Sequence, residues 1–140
     1  MMQVTYSVPG EPRGKGRPKF ARRGNFVKTY TDAKTASYED QIRFYALQAM
    51  GDSKAIQGAV RVFISINMAV PKSYSNKRRE ACLNGLDKPL KKPDWDNVAK
   101  SFCDAMNGIV YRDDTQIIEA HVTKQYAEQT RVVVVVQDVV

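Results

Sequence analysis

Histidine is almost missing from this chain, His121 standing alone, and cysteine stops at Cys82 and Cys103. A single histidine offers no zinc set. The two cysteines lie in different segments without ligand spacing, so neither a metal knuckle nor a disulfide framework is expected. Both read as small hydrophobes, buried or half-buried. No apolar run approaches the length of a membrane span. The opening "MMQVTYSVPG" has no charged leader followed by an apolar stretch, so no secretory signal is read. The expectation is a protein that stays where it is made, in the cytoplasm. Acid is scarce too: 15 Asp and Glu stand against 22 Lys and Arg, a formal net charge of +7 over 140 residues.

What is present fits one globular domain: 43% hydrophobic and 26% charged residues, in a chain long enough to bury a single core. A pI near 9.5 suggests a polyanionic partner, nucleic acid being the commonest. The distribution of charge says more. From Arg13 to Lys28 the chain reads "RGKGRPKFARRGNFVK", seven basic residues and no acid. Arg13, Lys15, Arg17 and Lys19 alternate, so an extended backbone turns all four to one side, and Arg22 and Arg23 follow. Gly14, Gly16 and Pro18 oppose helix and allow close approach to a phosphate chain, so this run is read as a loop.

Periodicity supplies the rest. "QVTYSV" reads as a strand closed by Pro9-Gly10. A helix is predicted from Thr31-Asp32 to Gly51, with Tyr38, Ile42, Tyr45, Ala46 and Ala49 on its buried face. "AVRVFISINMAV" alternates as a half-buried strand stopped by Pro71. Ser75 caps a short helix ending at Asn84-Gly85. Another helix runs from about Asp96 to Asn107, burying Val98, Phe102, Ala105 and Met106, with Gly108 as terminator. "QIIEAHVTKQYA" and "RVVVVVQDVV" read as an antiparallel hairpin around Glu128-Gln129. The order β-α-β-α-α-β-β predicts a single α+β domain over 1–140, with a mixed or antiparallel sheet of about four strands and helices packed on it.

Within this basic chain, "KKPDWDNVAKSFCDAMNGIVYRDD" gathers Asp94, Asp96, Asp104, Asp113 and Asp114. Each alone has an ordinary explanation: Asp96 as helix cap, Lys100 as its i,i+4 ion-pair partner, and Asp113-Asp114 as turn residues. Together they ask for more. Two ionised carboxylates ~4 Å apart repel by about 4 kcal/mol at an effective dielectric of 20. A fold that converges three must neutralise them, and all-oxygen ligands suit Mg²⁺ or Mn²⁺. Such an ion between Asp residues, beside basic loops, describes phosphodiester hydrolysis, with Lys100 available to the scissile phosphate.

Asp94, Asp96-Asn97, Lys100, Asp104-Ala105-Met106, Gly108, Tyr111 and Asp113-Asp114-Thr115-Gln116 together resemble the signature of the RusA family of Holliday-junction resolvases, of bacteria, phages and prophages. The likeness is strongest over 91–119; the loop near 12–19 and "PKSYSNKRREACLNG" resemble phage-type members. It implies a small homodimeric, Mg²⁺-dependent endonuclease that cuts four-way junction DNA in pairs. By resemblance Asp94, Asp96 and Asp114 are the catalytic metal ligands and Lys100 the catalytic lysine. Asp113 and Asn97 are supporting residues, and Trp95 is packing. Arg13, Lys15, Arg17, Lys19, Arg22, Arg23, Lys91 and Lys92 are the expected DNA contacts. The main rival is a non-catalytic basic nucleic-acid-binding protein, or an inactive resolvase relative, whose acids are caps and turns. The common nuclease core that begins "PD" needs an acid-x-Lys triplet on a following strand, and Glu119-Ala120-His121 lacks the lysine. An aspartyl-phosphate phosphatase wants its DxD after an apolar strand, where "KPLKKP" stands.

Overall fold

The computed structural model describes residues 2–15, 19–23, 26–30 and 33–140, with 19–23, 26–30 and 33–35 described as backbone. In chain order the elements are β1 (Gln3–Pro9), β2 (Lys19–Arg23), β3 (Phe26–Tyr30), α1 (Ala33–Met50), β4 (Val60–Ala69), α2 (Asn76–Leu83), α3 (Trp95–Ala105), β5 (Ile117–Ala127) and β6 (Arg131–Asp138). A turn of 3-10 helix at Asp114–Gln116 leads into β5. The main sheet runs β1-β6-β4-β5, and β2 and β3 form a separate antiparallel pair. The architecture is α+β, as expected.

Strand alternation decides which face is covered. Val62, Ile64 and Ile66 of β4 share a row with Val136, Val134 and Val132 of β6, which in turn meet Val4, Tyr6 and Val8 of β1. All nine are buried. They face α1 and α3, whose Tyr38, Ile42, Ala46, Val98 and Phe102 complete the core. Tyr38 and Phe102 meet edge to face at 5.8 Å. The opposite face carries Arg61, Phe63, Ser65 and Asn67, with Phe63 stacked on His121 and Gln125 donating to Ser65 and Asn67.

Three expectations are corrected. First, β5 and β6 are no hairpin: β4 lies between them, parallel to β5 and antiparallel to β6. The connection at 128–130 hops over the end of β4; three residues reach ~10 Å, about two strand spacings. The parallel β4–β5 pair then needs a long crossover, which α2 and α3 supply. Second, the basic stretch read as a loop contains the β2–β3 pair, Lys19 facing Tyr30 and Arg23 facing Phe26. Cross-strand bonds between the two backbones outweigh the Gly and Pro signals before them. Third, Ala49 is exposed, and the inner face of α1 carries Met50 and Glu39 instead. No helix among the described residues is long and apolar enough to cross a membrane.

Candidate nucleic-acid-processing site

α3 divides its circumference between core and charge. Val98, Phe102 and Ala105 are fully buried. At 100° per residue, Asp96, Lys100 and Asp104 then form a stripe on the opposite side. The helix is capped two residues earlier than predicted: Asp94, not Asp96, is the N-cap, and its side chain makes no capping hydrogen bond. Asp96 lies in the first turn, and Asp94, Trp95 and Asp96 are all exposed. The lead-in is tied to the sheet by Lys124 of β5, whose ammonium donates to the carbonyls of Lys91 (2.6 Å) and Pro93 (3.0 Å). Lys100 pairs with Asp104 Oδ2 at 3.5 Å, so the expected pairing with Asp96 is replaced by the one a turn further on.

The chain returns beside α3 through Ile109–Arg112, with the Tyr111 hydroxyl donating to the Cys103 carbonyl at 2.7 Å. The next turn separates two adjacent acids by role. Asp113 is the N-cap of the 3-10 turn and accepts from Thr115 N at 3.0 Å, which holds its carboxyl below the ordinary value. Asp114 has no such bond. Desolvation and the neighbouring Asp113 and Asp104 push its carboxyl up, with Lys100 opposing. Gln116 fixes the geometry of both: its Oε1 accepts from Arg112 N (2.8 Å) and Asp113 N (2.9 Å), and its Nε2 donates to Ile56 O (2.8 Å) and Gly58 O (2.7 Å).

The start of the basic run reaches the same place. Lys15 N donates to Asn97 O at 2.9 Å, and the Lys15 ammonium pairs with Glu39 of α1 and with Asp104 Oδ2 (3.3 Å). Burial pulls the Lys15 pKa down, but the hydrogen bonds and charges of Glu39 and Asp104 more than reverse this. Cys103, half-buried behind Asp104, is a free thiol pushed up to about 11, chiefly by burial.

The tertiary structure thus brings Asp104, Asp114 and Lys100 together and adds Lys15 and Glu39. Asp94 and Asp96 stand at the other end of α3; eight residues of helix, ~12 Å, separate Asp96 from Asp104. Among the described residues no three His, Cys, Asp or Glu side chains form a group ready to hold a metal ion. Of the expected DNA contacts, Lys91 and Lys92 are exposed, and Arg13 and Lys15 run along α3. Arg17 lies outside the described residues, as do the side chains of Lys19, Arg22 and Arg23. Sequence reasoning missed Glu39, whose one signal was an acid next to Tyr38 on the apolar side of α1. It also missed the bracing role of Gln116, a long-range contact without periodicity.

A basic α+β domain with carboxylates and lysines aligned on one exposed helix is laid out to handle polyanions. The comparison with known families makes this specific: residues 9–137 match the family model "Endodeoxyribonuclease RusA", and the chain belongs to that family of DNA-cutting enzymes. It is also 34% identical over 138 residues to "Uncharacterized protein YqaN" of Bacillus subtilis (strain 168), covering 97% of this chain and 96% of that protein.

Proposed function

We propose that this chain resolves four-way DNA junctions in recombination and repair, as a homodimeric, Mg²⁺-dependent endonuclease making paired symmetric cuts. The carrying observation is the grouping of Asp114, Asp104 and Lys100 on the face of α3 in a chain of this family. Donor chemistry fits a hard divalent ion, with Mn²⁺ as substitute. The carboxylates offer oxygen only, that of Asp94 is not engaged in capping, and that of Asp114 is unrelieved by any hydrogen-bond donor of its own turn. By the resemblance Asp94, Asp96 and Asp114 would hold it, which requires the start of α3 and the Asp114 turn to draw together from where they stand. When bound, the ion supplies a water of lowered pKa and offsets charge on the scissile phosphate. Lys100, whose side chain is 62% exposed, is free to meet a phosphate oxygen and stabilise the charge that develops there. Asp113 and Asn97 support the turn and the helix start. Arg13, Arg17, Lys19, Arg22, Arg23, Lys91 and Lys92 contact the DNA backbone, and a two-fold dimer presents two sites to a near-symmetric junction.

A second reading is favoured by the exposure of Asp94 and Asp96 away from Asp114: a relative that binds junctions without cutting them. Incubating the protein with four-way, Y-shaped and linear DNA in Mg²⁺, and mapping the nicks, separates the two. Symmetric nicks on opposite arms of the four-way substrate, lost on chelation and in Asp96→Asn, support the resolvase. Junction binding with intact strands supports the second reading.

A further inference from the structure

Lys15 sits in the run of basic residues, yet its charge is matched inside the protein. Gly14 passes so close to α3 that a Cβ there would lie 2.9 Å from Asn97 Cβ, and the Lys15 amide is bonded to Asn97 O. This strap delivers the ammonium between two carboxylates: Glu39, buried and also held by Arg43 at 3.3 Å, and Asp104 Oδ2. Lys100 meets that same Asp104 oxygen, at 3.5 Å against 3.3 Å for Lys15.

We propose that Lys15 is a positioning residue of the carboxylate site and not a DNA contact, an inference that rests on the resolvase reading of that site. By sharing Asp104 Oδ2, Lys15 weakens the hold of Asp104 on Lys100 and leaves the Lys100 ammonium available to a phosphate. It also fixes the Asp104 carboxylate beside Asp114. Without Lys15, Asp104 draws Lys100 into a full ion pair and away from the substrate. Bound Lys and Arg elsewhere still hold the DNA.

Two variants test this. Lys15→Met removes the ammonium; Gly14→Val keeps every charge but lifts the strap off α3. Both are expected to lower kcat on junction DNA by about 10–100-fold, the scale of a small misplacement. In Lys15→Met, KM is expected to stay within about twofold, because the other Lys and Arg contacts to the DNA backbone are untouched. Metal-free junction binding should keep the wild-type salt slope in Lys15→Met. A phosphate contact would instead make that slope shallower by about one. A shallower slope in Lys15→Met, or an unchanged kcat in either variant that unfolds cooperatively, overturns the proposal. If the wild-type chain itself cuts no junction, the resolvase reading falls on that result, and the metal-free slope alone decides whether Lys15 touches DNA.

Discussion

Replacing Asp114 with Asn is expected to abolish cutting and, in the absence of divalent ions, to stabilise the protein. The Asp114 carboxyl is raised by desolvation and by Asp113 and Asp104, with Lys100 opposing. Two repulsions less one attraction leave one net like-charge contact. At ~6 Å and an effective dielectric of about 40, between protein surface and water, that is about 1.4 kcal/mol. Screening at physiological salt roughly halves it, to about 0.7 kcal/mol. For a chain of this size the gain in Tm is about 2–4 °C. The sign follows from linkage. The folded state holds the Asp114 proton more tightly than the unfolded chain does, so stability falls as pH rises from the ordinary value of 3.8 through the raised folded value. The Asn variant therefore gains its advantage at neutral pH and loses it below about pH 3.8. Thermal unfolding in EDTA at pH 7 and at pH 3.5 measures both, and Mg²⁺ should raise the wild-type Tm while leaving the variant's in place. A variant less stable than wild type at pH 7, or a difference independent of pH, refutes the electrostatic account.

Gln116→Ala removes four hydrogen bonds from the turn that carries Asp114. A loss of about 2–3 kcal/mol is expected in urea unfolding, and an unchanged midpoint would show that water replaces the side chain. Phe102→Ala empties a fully buried site against Tyr38 and should cost about 3–5 kcal/mol, read as a lower urea midpoint; an unchanged midpoint would show that the core closes over the space. Lys91 and Lys92 are exposed at the approach to α3. Changing both to Met should make the salt dependence of junction binding shallower by about two, and a slope equal to wild type removes them from the interface.

The helices and the buried rows of strands were legible because they depend on periodicity, which is local. Val60 to Met68 alternate whatever lies beside them, and Val98, Phe102, Ala105 and Met106 mark one side of α3 in any fold that covers it. Ser75 as cap and Gly108 as terminator were legible for the same reason: a capping oxygen and a positive φ act on their own turn. The preference for Asp114 over Asp113 came from the family likeness. The turn supplies a reason for it, since only Asp113 is engaged as a cap.

Order within the sheet was not legible. Burial drives β5 and β6 against a neighbour without naming it, and only the packed chain decided that β4 should come between them. Nor could spacing along the sequence show that Lys15, Glu39 and Asp104, carried by three separate segments, would meet. Local signals report on bonds within a turn or two of the backbone. Charge pairing across tens of residues is settled by the shape of the core, because the core fixes how closely α1, α3 and the strap before them can approach.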